Sequence, residues 1–160
     1  MTGKLTIQVM EARLERDTST FSKMDVYAFV ESRMQRIRTE TQKSAGKEPQ
    51  WPDENLVIDV KYVGDDMRIA LMDENWGDDD TIGESTIKLS AMCCGGGLDE
   101  WYVLQFKGKP AGHVHLKSTW EPDGADLEEL PEDPPEPPQM VMSSGAQAPP
   151  IRVQPFYTNP

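Results

Sequence analysis

Apolar and polar residues alternate with a period of two along most of the first 120 positions. Leu5, Ile7 and Val9 fall on one face of the opening segment and Lys4, Thr6 and Gln8 on the other, the pattern of a half-buried strand. In 25–31, Val26, Ala28 and Val30 alternate with Tyr27 and Phe29, so both faces are apolar and the spacing predicts an interior strand. Further strands are predicted near 34–41, 55–62, 67–72, 81–89, 101–106 and 112–119, and no long stretch holds a helical period. Eight short strands separated by Gly-, Asp- and Pro-containing loops predict an all-β fold, an eight-stranded antiparallel β-sandwich. The stretch 91–100, with Gly95, Gly96 and Gly97 in a row, reads as flexible. It lacks the Gly-Lys-Ser/Thr ending and the following helix of a phosphate loop.

Composition divides the chain. Residues 1–120 carry 15 basic and 20 acidic side chains, whereas 121–160 carry 1 and 8, and ten of the 13 prolines lie in that last quarter. Three parts are therefore expected: a folded domain over 1–120, an acidic Pro-rich linker over 121–138, and a docking segment over 139–160. A proline-rich acidic stretch cannot bury enough apolar surface to offset its ordering entropy, so the tail is expected to be disordered. Its end, however, carries Ile151, Val153, Phe156 and Tyr157, the composition of a peptide that docks on a protein partner.

The net charge of −12 excludes a general nucleic-acid binder, which needs a basic footprint. No apolar run reaches the ~18 residues of a membrane span, and the start enters a strand directly with no signal-peptide core. The expected setting is cytoplasmic, on a membrane surface or within a larger assembly. Adjacent Cys93 and Cys94 suit neither a disulfide framework nor a zinc site with separated thiolate pairs, and read as reduced thiols. No nucleophile has a plausible base, since both histidines, His113 and His115, share one strand, so no catalytic residue is expected.

Chemistry concentrates in two acidic loops. Asp17 and Asp25 bracket the first, and Asp73, Asn75, Asp78, Asp79 and Asp80 crowd the second. Ca²⁺ takes six to eight oxygens, and clustered carboxylates on neighbouring loops supply them. The twelve residues from Asp73 to Glu84 mimic an EF-hand loop in length only: position six is Asp78 where that loop needs Gly, and both flanks read as strands.

Several ordered pieces resemble the C2 domain family. Ser22-Lys-Met-Asp-Val-Tyr-Ala-Phe-Val30 resembles its first loop and the strand after it, and Trp51 its Asn-Pro-x-Trp turn. Asp73-Glu-Asn-Trp-Gly-Asp-Asp-Asp-Thr-Ile-Gly83 resembles its third loop, and Trp101-Tyr-x-Leu104 with Gly112-x-Val-x-Leu116 its closing strands. The order of pieces resembles the type II permutation, and the wording is similar to small plant stress-responsive C2 proteins. The resemblance implies a loop cup that binds Ca²⁺ and docks on anionic phospholipid membranes without catalysis. Residue by residue, it implies ligands at Asp25, Asp73 and Asp80, with Asp17, Asn75 and Asp79 beside them. Ser19 and Asn75 stand where the family has aspartates, and each removes a charge.

Phe21 and Trp76 fall at the two loop apices, where an aromatic can enter a lipid headgroup layer. Arg33, Arg36, Arg38 and Lys43 make a basic strand and turn, of which Arg36, Arg38 and Lys43 are the expected contacts to anionic headgroups. The alternative function is a Ca²⁺-independent interaction module, a structural subunit tethered to its assembly by the tail. Ser19 and Asn75 favour it.

Overall fold

The structure is a computed structural model that describes residues 1–124. The linker beyond residue 124 and the docking residues Ile151, Val153, Phe156 and Tyr157 lie outside the described residues. The body, Met1–Asp123, contains eight antiparallel strands: β1 (Gly3–Leu14), β2 (Val26–Glu31), β3 (Arg36–Arg38), β4 (Asn55–Val60), β5 (Asp66–Asp73), β6 (Asp80–Lys88), β7 (Gly97–Phe106) and β8 (Lys109–Pro122). Their order is β3-β2-β5-β6-β7-β8-β1-β4. Strands β6 and β7 share a single residue pair, Glu84 with Gln105, so the two four-stranded halves meet at one seam and face each other as the layers of a sandwich.

Alternation places the core. Leu5, Ile7 and Val9 of β1 point inward, then a bulge between Val9 and Glu11 shifts the register. The inward positions therefore change from odd to even numbers, Ala12 and Leu14. Ile58, Ile69, Leu71, Ile82, Leu104, Val114 and Leu116 complete the interior. Trp51 is 1% exposed and its indole N–H donates to the Glu40 carbonyl at 3.0 Å, which fixes the long connection between β3 and β4 to the core.

Strand β2 is buried on both faces, in keeping with its unbroken apolar run: the core covers one face, and side chains laid across the sheet cover the other. Its inner residues join the main core. Tyr27 and Phe29, on the outer face, form a second cluster with Ala70 and Met72. Guanidinium groups roof that cluster, with Arg38 3.6 Å from the Tyr27 ring centroid and Arg36 4.1 Å from that of Phe29.

The 91–100 stretch departs from the expectation of a flexible loop. Leu89–Met92 form one helical turn, Cys94–Gly96 one 3-10 turn, and β7 begins at Gly97. Leu89 and Met92 are buried, which anchors the turn, and β8 supplies a long template along which β7 pairs from its first residue. Both cysteines are free thiols. Burial pushes the Cys93 thiol up to about 11.

Candidate functional site

The pairing of β2 with β5 brings the acidic loops together. Val26 faces Asp73 across that ladder, Asp73 faces Asp80 across the next, and the Glu74 amide donates to the Asp25 carbonyl at 2.8 Å. Residues 15–25 and 74–79 thus leave the same end of the sandwich side by side.

Asp73 is the pivot. It is 2% exposed, and a buried carboxylate is tolerated only where donors replace water. Three do so here. Thr18 and Ser19 each donate a hydroxyl to Oδ2 at 2.8 Å, and the Asp25 amide donates to Oδ1 at 2.9 Å. Ser19, where the resemblance expects another carboxylate, is therefore a donor into Asp73. Asn75 behaves in the same way, its side-chain amide donating to Asp80 Oδ2 at 3.1 Å and its backbone N–H to Asp79 Oδ1 at 3.0 Å.

The other acids are likewise held. Tyr27 donates its hydroxyl to Asp79 Oδ2 at 2.6 Å, the Ser44 amide donates to Asp25 Oδ1 at 2.7 Å, and the Ser19 amide donates to Asp17 Oδ1 at 3.0 Å. Burial, and then the bond to Asp79, push the Tyr27 hydroxyl up to about 12, so it stays a donor at neutral pH.

A calcium cage needs several free carboxylate oxygens converging at about 2.3–2.6 Å from one point. Here each of Asp17, Asp25, Asp73, Asp79 and Asp80 accepts a hydrogen bond from the protein, and the two substituted positions supply donors. Among the described residues no three His, Cys, Asp or Glu side chains are grouped so as to hold a metal ion. Ser19 and Asn75 thus lower the charge and the number of carboxylate oxygens offered to the cation that the resemblance implies.

Phe21 and Trp76, 99% and 104% exposed, are the most exposed aromatics among the described residues, ahead of Tyr62 at 59% and Trp101 at 40%, while Trp51, Phe29 and Tyr27 are buried. An open depression of about 570 Å³ lies beside Trp76, lined by Ser22, Asp25, Lys43, Glu74 and Asn75.

The expected basic patch is drawn into ion pairs. Arg36 pairs with Glu31 at 3.1 Å, Arg38 with Glu74 at 3.5 Å, Lys43 with Glu74 at 3.9 Å and Arg33 with Asp65 at 2.7 Å. Glu31 also binds Arg68, which reaches Glu84, so one chain of alternating charges crosses the outer face of β2, β5 and β6. The Thr41 hydroxyl and then the Lys43 and Arg38 cations hold the Glu74 carboxyl below its ordinary range. The sequence shows the cations but not these partners, because Glu31, Glu74 and Glu84 arrive from other segments. On the other layer, His115 stacks on Trp101, with ring centroids 5.0 Å apart, and meets Asp99 at 2.5 Å.

The sandwich, its strand order and the paired acidic loops define the class: the chain belongs to the C2 domain family, whose profile matches residues 3–104. Among curated relatives, Elicitor-responsive protein 3 of Oryza sativa subsp. japonica is 31% identical over 123 residues, covering 76% of this chain and 85% of the relative. Human Extended synaptotagmin-1 is 31% identical over 85 residues, covering 51% of this chain but 8% of that much longer protein. Among solved structures, a C2 domain of plant Extended Synaptotagmin 1 superposes with a TM-score of 0.67 at 17% identity, over 75% of this chain and 95% of that one. The calcium-bound pair of C2 domains of Extended-Synaptotagmin 2 superposes with a TM-score of 0.65 at 26% identity, over 79% of this chain and 49% of that one. Among the described residues no helix is long and apolar enough to cross a membrane.

Proposed function

We propose that the protein is a non-enzymatic C2 adaptor that docks peripherally on phospholipid membranes through Phe21 and Trp76. The observation that carries this reading is the full exposure of two large aromatics, Phe21 and Trp76, on adjacent loops of one end, while Trp51, Phe29 and Tyr27 are buried and Tyr62 and Trp101 are only partly exposed. Exposed aromatic surface in a cluster marks an interaction site, and indole and phenyl rings suit a lipid headgroup layer. Membership of the C2 family supports the same reading.

The donors already supplied to the aspartate cup weigh against calcium gating of the docking. The paired state of Arg36, Arg38 and Lys43 likewise weighs against a free cationic patch for anionic headgroups. Flotation of the full chain with phosphatidylcholine vesicles, with and without phosphatidylserine, tests the proposal. Wild type is expected to float with at least one composition, and Phe21→Ala with Trp76→Ala to reduce flotation at least ten-fold. Failure to float with any vesicle in either the presence or absence of Ca²⁺ would overturn it. The second reading, a protein-interaction module tethered through Ile151, Val153, Phe156 and Tyr157, is favoured by Ser19 and Asn75, which act as donors where the family has aspartates. Loss of specific partners from Phe156→Ala with Tyr157→Ala, with membrane binding unchanged, is its expected signature.

A further inference from the structure

We infer that the loop end is locked in its docking conformation by its own hydrogen bonds, takes up no calcium, and selects weakly charged zwitterionic lipid surfaces over anionic ones. The inference rests on the docking role proposed for Phe21 and Trp76 and names the lipid class that role selects. Two independent observations carry it, one from hydrogen bonding and one from charge.

In a cation-gated cup, carboxylates from separate loops repel one another until a metal bridges them. Here Asp73 bridges the loops by hydrogen bonds. Its Oδ2 collects Thr18 and Ser19 from the first loop at 2.8 Å each, and its Oδ1 holds the backbone at Asp25. Within the other loop, Asn75 and Tyr27 hold Asp79 and Asp80. A Ca²⁺ ion entering this cluster competes with hydrogen bonds that are partly buried at Asp73 and between Tyr27 and Asp79, and exposed at Asn75. It would also meet fewer charges than a five-carboxylate cup offers, because Ser19 and Asn75 are neutral, and charge count tunes affinity in oxygen sites. The arrangement substitutes hydroxyl and amide donors for the metal.

The second observation concerns what the docking end presents to lipid. Residues 15–25 and 73–80 carry eight acidic side chains against Arg16 and Lys23; with Asp73 buried and Glu74 paired, Glu15, Asp17, Asp25, Asp78, Asp79 and Asp80 remain to face lipid. Arg38 and Lys43 are the cations that Glu74 engages. Without calcium to invert that charge, the rim around Phe21 and Trp76 is repelled by an anionic leaflet, whose surface potential acts on charges within a Debye length. A zwitterionic surface carries no such penalty and still receives the aromatic rings.

Two experiments on the full chain test the inference. Calorimetric titration with Ca²⁺ is expected to give no saturable heat, and the melting temperature is expected to be the same in Ca²⁺ and in EGTA. Ser19→Asp with Asn75→Asp, which returns both carboxylates, is expected to gain a Ca²⁺-dependent rise in melting temperature. A saturable wild-type isotherm overturns the inference whatever the vesicles show. Flotation is expected to be equal in Ca²⁺ and EGTA and to fall several-fold as phosphatidylserine replaces phosphatidylcholine; a rise with phosphatidylserine or with Ca²⁺ overturns it. Binding to no vesicle at all removes the docking reading and the lipid preference together, while the titration still decides the calcium question.

Discussion

At the residue scale the functional end turns on one carboxylate. Asp73 is legible in the sequence as a member of an acidic loop, but its partners are not. Thr18 and Ser19 stand 55 and 54 positions away, and only the β2–β5 register brings them within 2.8 Å. Spacing arguments reveal neighbours along a strand or a turn, not hydroxyls delivered by another loop. The same limit applies to Arg36 and Arg38, whose charges are plain in the sequence while the carboxylates that engage them are not. The Asp73 arrangement carries a stability prediction. Asp73→Ala would leave two hydroxyls and one amide without their acceptor, and unsatisfied groups of this kind cost about 1–3 kcal/mol. The expected loss is about 2–4 kcal/mol for the set, since the hydroxyls can turn toward water while the amide is less free to move. Urea denaturation checks it: the midpoint should fall with an unchanged slope, and Asp73→Asn, which keeps one acceptor oxygen, should fall less. An Ala variant as stable as wild type would show that the bridge is incidental.

At the element scale the strands are largely readable, because alternation is a property of consecutive residues. Strands β4 and β6 fall where the pattern puts them, with ends displaced by at most two positions. Composition misleads at the Gly95–Gly97 run, where it suggests flexibility. The glycines there serve different purposes. Gly97 has φ 142° and sits so close to β8 that a Cβ there would lie 1.9 Å from the Ser118 carbonyl oxygen. Gly95 has φ 59° and open space around it. Composition cannot distinguish a glycine that permits a turn from one that permits two strands to touch. The two positions predict different penalties. Gly97→Ala must displace β7 from β8 and is expected to cost about 2–4 kcal/mol, whereas Gly95→Ala bears only the strain of its backbone conformation, about 1 kcal/mol. Thermal melts of the two variants check this, with Gly97→Ala the lower; equal melting temperatures would mean that the β7–β8 edge yields easily.

At the scale of the whole molecule, the net charge of −12 is the least informative number in the sequence, and its distribution is the most informative. Seven units belong to residues 121–160 and five to the body. Within the body the acids gather at the loop end, while the arginines of β3 and β5 lie across the outer sheet face in alternating pairs with glutamates. That division is half visible in the sequence: the acidic loops and basic strand can be read there, but the neutralisation of one and the isolation of the other need the fold. It has a consequence for ionic strength. Docking through a cationic patch weakens as salt rises, because the attraction to anionic headgroups is screened. Docking through Phe21 and Trp76 under an acidic rim should do the opposite on phosphatidylserine-containing vesicles, since salt screens a repulsion and leaves the burial of aromatic surface intact. Raising salt from about 0.05 M to 0.5 M shortens the Debye length from roughly 14 Å to 4 Å, so the change should be largest in that interval. Sedimentation of the full chain with vesicles across that range is expected to show binding that rises with salt on phosphatidylserine-containing membranes and stays nearly flat on phosphatidylcholine alone. A fall with salt on both would assign the docking to the arginines, and the ion pairs with Glu31 and Glu74 would then have to open at the membrane.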